Sequence, residues 1–234
     1  DGVVAISPNI WSAKSGGRAL YDYSTDAALW MPCAMNASAF DKEFFARPAG
    51  VKPPANSARC ASLKTLGWLK ADTAEAQADE ALAHLHQQGW TDAALSASTL
   101  SNAFDLWRAV SVTYASAYSR RDANAMPCGF AFHALGSDGK PRTPTNAEKA
   151  AWISDASGIP PGAGVSLIDT MASGADPALP GLLCLRDLWN GKDKDSAANI
   201  AGVNATDAAL PRKGLPVLVI HGVDDGLIPE AFGS

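Results

Sequence analysis

Two short segments constrain this chain more than any other feature. "GVVAIS" (residues 2–7) and "PVLVIH" (216–221) are rich in Val and Ile and bounded by turn residues. Continuous apolar runs of this length read as strands buried on both faces, the kind found in parallel sheets. Parallel neighbours need a crossover connection, usually built around one helix. Here about 200 residues separate the segments, far beyond ordinary connection lengths. An insertion with its own structure must fill the gap. The fold expected is therefore α/β, with residues 1–12 and 208–234 contributing parallel strands to one core. Residues 13–207 form a large, mostly helical insertion.

The insertion carries helix signals. "TAEAQADEALAHLHQQG" (73–89) opens on a Thr73 cap, holds Glu75 and Glu80 early and stops at Gly89. Ala78, Leu82 and Leu85 fall on one face. Residues 91–122 place Leu95, Leu100, Phe104, Trp107, Val110, Tyr114 and Tyr118 at near-helical spacing. Arg120 and Arg121 near the end of that stretch suit the helix dipole. A shorter helix is expected over 145–158, ended by Gly158 and Pro160. "RPAGVKPPANSARC", "GSDGKPRTPTN" and "GIPPGAGVS" read as loops.

Composition excludes several classes of function. Hydrophobic residues make up 47% and charged residues 18%, enough for a packed core. Net charge is -5, with no Lys/Arg tract to recruit nucleic acid or an anionic membrane. No apolar stretch reaches the roughly 18 residues of a membrane span. The opening "DGVVAISP" reads as a strand rather than a signal peptide, and the missing initiator Met points to a start inside a longer protein. The four cysteines (Cys33, Cys60, Cys128 and Cys184) include no C-x-x-C pair, and no His is spaced to complete a zinc site. No metal or organic cofactor is expected. An even number suits two disulfides in an oxidising compartment, with four buried thiols as the alternative. Four cysteines allow three connectivities; if they are bridged, the sequential one is expected.

Chemistry concentrates at "LPVLVIHGVDDGLIPEAF" (215–232). In α/β-hydrolases the catalytic acid follows a buried strand, where its carboxylate orients a histidine and stabilises the imidazolium. A frequent pattern is His-Gly, two residues, Asp, two residues, a β-branched residue and Pro. It places Asp225 on the acid position and Asp224 one residue early, as a turn residue. Gly222 and Gly226 permit the tight backbone that aims a carboxylate over the sheet. The alternative is an ordinary Asx-rich turn. His221 precedes the acid, whereas the hydrolase order is Ser, Asp, His, so a structural role is expected. His84 and His86 are two apart on a helix and share no face; His133 reads as a core or loop histidine. No Gly-x-Ser-x-Gly occurs, and "GSDG" (136–139) sits in a polar turn. The nucleophile and the base are therefore expected outside this chain.

"DGVVAISPNI", "GGRALYDYSTDAALWMPCAM", "MPCGF" and above all "LPVLVIHGVDDGLIPEAF" resemble the bacterial D-(-)-3-hydroxybutyrate oligomer hydrolases. These are serine esterases akin to tannases and feruloyl esterases. The resemblance implies a partial α/β-hydrolase core with a lid insertion. The nucleophile elbow would lie just upstream of the first strand and the histidine downstream of Asp225. It also implies two-step ester hydrolysis of a small oligoester outside the cell or in the periplasm. An aromatic lid surface would suit such a substrate: Trp11, Trp30, Trp107, Tyr114 and Tyr118 are candidates, and Arg18 for a terminal carboxylate. A tannase- or feruloyl-type esterase, or a binding domain with a degenerate hydrolase strand, are the competing readings.

Overall fold

The structure is a computed structural model and describes residues 2–6, 8–14, 17–41, 58–98, 106–122, 125–152, 165–209 and 212–232. The two Val-rich segments are neighbours. Strand β1 (Val3–Ile6) pairs in parallel with β5 (Val217–Ile220), in the register Val3↔Val217 through Ile6↔Ile220. One expectation fails: these strands are not buried. Val4 is 63% exposed, Ile6 74% and Leu218 55%. A two-stranded ribbon has no second layer of its own, and the helices of the insertion pack against one another rather than on it.

Between the strands come α1 (Leu20–Ala34), α2 (Ala58–Thr65), α3 (Ala74–Gln87), α4 (Asp92–Ala97) and α5 (Leu106–Tyr118). Strand β2 (Phe130–Leu135), β3 (Pro141–Arg142), α6 (Asn146–Trp152), β4 (Val165–Asp169), α7 (Leu179–Trp189) and α8 (Ser196–Asn204) follow. The insertion is thus not purely helical. Strands β3, β2 and β4 form an antiparallel sheet in that order, with Phe130 opposite Asp169 and Ala134 opposite both Val165 and Arg142. "GSDG" is the β2–β3 turn, closed by the Gly136 N–H donating to the Lys140 carbonyl at 2.8 Å. The 91–122 stretch holds α4 and α5; Leu100 and Phe104 lie outside the described residues, as do residues 153–164. Helix α5 ends at Tyr118, and Arg121 pairs with Asp195 at 2.7 Å.

Helix α1 is the hub, packed by α2, α3, α5 and α7. Twelve of its side chains are buried, polar ones included, because neighbours cover every face. The Tyr21 hydroxyl donates to the Leu185 carbonyl at 2.7 Å, and the Thr25 hydroxyl turns back to the Tyr21 carbonyl. Pro32 lies inside α1. It has no N–H to give the Ala28 carbonyl, four residues earlier. Arg59, on α2, supplies the missing donor: its Nη1 reaches the Ala28 oxygen at 2.8 Å and the Leu29 oxygen at 3.0 Å. Its other nitrogens form a fork on Asp176, at 2.5 and 3.2 Å. Helix α3 follows its sequence signals closely. Thr73 accepts from the Ala76 N–H at 3.2 Å, and Ala78, Leu82 and Leu85 are buried.

The cysteines form two disulfides with the sequential pairing, Cys33–Cys60 and Cys128–Cys184. The first is buried beside Arg59. The second is half-buried and lines a cavity of about 390 Å³ with Arg121, Met126, Met171 and Lys194. Thiol–disulfide exchange requires access to a sulfur. Graded dithiothreitol should therefore open Cys128–Cys184 at concentrations that leave Cys33–Cys60 intact. Alkylation followed by peptide mass mapping reads the order, and simultaneous reduction would contradict it.

Candidate functional site

The loop after β5 is tightly tied. The His221 Nε2–H donates to the Ile228 carbonyl at 2.6 Å, so this histidine braces the loop across its mouth. The Asp225 N–H reaches the Gly222 carbonyl at 3.3 Å. Asp225 Oδ1 accepts the Leu227 and Ile228 N–H groups, at 2.8 and 3.0 Å. These bonds fix the carboxylate at the carboxyl end of the parallel pair, half-buried rather than aimed into bulk solvent. Asp224 is exposed and accepts from the Thr91 hydroxyl at 3.0 Å.

The insertion closes on this loop. Tyr23, on α1, is 1% exposed, and its hydroxyl is held well above the usual tyrosine range, first by burial and then by Tyr114, Asp225 and Tyr118. The Asp225 charge thus lies within electrostatic reach of the hub helix. Tyr23 meets Trp107 edge-to-face at 6.2 Å, and Trp107 meets Trp90 at 5.5 Å. Asp225, Tyr23, Trp107 and Trp90 therefore form one neighbourhood, of which the sequence singled out Asp225 and Trp107.

Tyr114 and Tyr118 lie within electrostatic reach of Tyr23, whereas Trp11, Trp30 and Arg18 lie elsewhere. Trp11 is buried edge-to-face against Trp189 at 6.5 Å. Tyr114 and Tyr118 stack on each other at 5.5 Å. Trp30 is buried between His84 and Trp68, at 3.9 and 5.9 Å. Arg18 binds Asp22 at 2.7 Å, Asp26 at 3.4 Å and Gln88 at 2.6 Å. Asp26 joins these last two groups, accepting the His84 Nε2–H at 3.0 Å while Arg186 stands 3.6 Å away.

Burial alone would raise the Asp26 pKa; the His84 bond and the Arg18 and Arg186 charges outweigh it and hold the carboxyl below the usual range. A depressed folded pKa contributes stability above the unfolded value, and that stability is lost as pH falls through the folded one. Wild-type chain should therefore lose stability below about pH 4 more steeply than Asp26→Asn. Urea midpoints at pH 3 to 6 test this, and parallel curves would contradict it.

Among the described residues, no group of three or more His, Cys, Asp or Glu side chains is placed to hold a metal. No described helix is long and apolar enough to cross a membrane.

Comparison with known proteins decides the family. The model described as 3HB-oligomer hydrolase (3HBOH) matches residues 3–234, which takes in both parallel strands, the insertion and the loop after β5. The chain belongs to the 3HB-oligomer hydrolase family. Among its relatives, a D-(-)-3-hydroxybutyrate oligomer hydrolase of Paracidovorax citrulli is 31% identical over 98% of this chain and 37% of its own length. Proteins of the same name from Ralstonia nicotianae and Burkholderia thailandensis are 32% and 33% identical, over 97% and 95% of the chain and 35% and 33% of their own lengths. The chain thus spans about a third of the curated 3HB-oligomer hydrolases it matches. No solved structure matches it.

Proposed function

We propose that this chain supplies the catalytic-acid loop and the lid of a serine esterase that hydrolyses 3-hydroxybutyrate dimers and oligomers. The observation that carries this reading is the half-buried Asp225 carboxylate at the end of the β1–β5 pair, within a chain matched end to end by the 3HB-oligomer hydrolase family. The uncovered Val and Ile side chains of β1 and β5 support the view that further layers of a longer protein flank them. Those parts would bring the serine, the histidine and the oxyanion donors.

In that reaction the serine hydroxyl attacks the ester carbonyl while the histidine takes its proton. The released alcohol is protonated by the same histidine, and water then cleaves the acyl-enzyme by the reverse proton path. Asp225 accepts the distal imidazole N–H, fixes the tautomer and stabilises the imidazolium. Of the aromatic candidates, Trp107 meets the Tyr23 ring edge-to-face, and it is proposed to shape the apolar wall for the methyl-bearing acyl chain. Trp11, Trp30 and Arg18 act through the lid core. Two disulfides support an oxidising location, outside the cell or in the periplasm.

A substrate panel tests the assignment. Full-length protein should release 3-hydroxybutyrate from dimer and trimer and leave methyl ferulate intact, whereas cleavage of ferulate alone would overturn the substrate class. The 234-residue chain by itself should show no turnover above a boiled control. Measurable turnover would mean a nucleophile lies within it.

A further inference from the structure

The loop that carries Asp225 is held from outside the sheet. Strand β5 is exposed on both faces and offers it no wall. The α3–α4 hairpin does. The Thr91 hydroxyl, at the N-cap of α4, donates to Asp224 Oδ1 at 3.0 Å, and the Ser98 hydroxyl at the other end of α4 donates to the Gly226 carbonyl. Between these bonds the Gly226 backbone lies against α4. A Cβ there would come within 3.0 Å of the Ala97 Cβ and 3.3 Å of the Ala94 carbonyl. A third approach involves Gly89, whose φ of +95° ends α3. A Cβ there would sit 2.6 Å from the Ala231 Cβ, so glycine serves both the turn and the contact. Residues 224 and 226 are thus clamped by α4 on either side of Asp225.

We propose that helix α4 is the brace of the catalytic-acid loop, with Thr91 and Ser98 as positioning residues that hold Asp225 at the angle its histidine requires. The inference rests on the reading of Asp225 as the acid. A lid usually selects substrate; here it would also complete the relay, so that lid seating and catalytic competence are coupled. A displacement of about 1 Å in such a group can cost about 100-fold in rate.

The test uses full-length protein carrying Thr91→Val with Ser98→Ala, with Thr91→Ser as the conservative variant because it keeps both the α4 cap and the donor. The double variant should lose about 10- to 100-fold in kcat on hydroxybutyrate trimer at nearly constant KM. The acid limb of its kcat/KM profile should move to lower pH, because a loosened carboxylate supports the imidazolium less. Amide hydrogen exchange at Leu227 and Ile228 should quicken. Thr91→Ser should retain wild-type kcat and exchange. Circular dichroism checks that the fold survives; if it does not, Ser98→Ala alone carries the same readouts. Unchanged kcat, pH limb and exchange would overturn the brace, and so would faster exchange without a kinetic effect. An Asp225→Asn variant assayed in parallel separates the two claims. If it turns over normally, the acid assignment falls, and exchange alone then judges whether α4 holds the loop.

Discussion

Asp225→Asn in the full-length protein should lower kcat by about 10⁴, the scale on which a serine hydrolase depends on its buried acid. Asparagine keeps a carbonyl oxygen, so the Leu227 and Ile228 N–H bonds survive and the loop holds its shape. What changes is the face shown to the histidine. An amide that presents N–H selects the wrong tautomer, and an uncharged group no longer stabilises the imidazolium. The loss should fall on kcat, with KM and the circular dichroism spectrum close to wild type. Steady-state kinetics on hydroxybutyrate trimer measures it, and a loss under about tenfold would remove Asp225 from the relay.

Arg59→Leu should be the most damaging single change to stability, at about 3–5 kcal/mol. One guanidinium serves two elements. It closes the hole that Pro32 leaves in the α1 ladder at Ala28, and it neutralises Asp176, whose side chain is 9% exposed. Leucine would leave that carboxylate buried without its cation and the Ala28 carbonyl without its donor. Lysine would restore the charge but not the fork, and should recover only part of the loss. Guanidinium denaturation at pH 7 with the disulfides intact measures both variants; a change below about 1 kcal/mol for Arg59→Leu would show that the Pro32 break is satisfied some other way.

The sequence announced elements whose signals are local. Helix α3 displays its cap, its apolar face and its stop in consecutive residues. β1 and β5 are Val-rich runs, and Asp225 sits in a recognisable spacing after β5. Helix α1 was illegible for a physical reason. It is buried on every side, so its apolar residues follow no period, and Pro32 reads as a breaker until Arg59 is known to repair the gap. The short strands β2 and β4 lack the alternation that marks a half-buried strand, so the small antiparallel sheet was missed. The exposure of β1 and β5 is equally invisible in local pattern, since burial depends on what packs over a strand.

In the loop after β5, the sequence singled out Asp225 but gave no sign of what holds that loop. Thr91 and Asp224 are 133 positions apart, and Ser98 and Gly226 are 128 apart. Neither threonine nor serine at the ends of a short helix is unusual. Tyr23 lies in a stretch that carried the family resemblance without any sign that it would come within electrostatic reach of Asp225.

The most direct test sets Asp225→Asn against Asp224→Asn in the same full-length protein on the same trimer. Asp224 faces the Thr91 hydroxyl, and asparagine can still accept that bond. The neighbouring substitution should therefore leave kcat within a few-fold of wild type, while Asp225→Asn loses about 10⁴. Equal losses, or the larger loss at Asp224, would contradict the account.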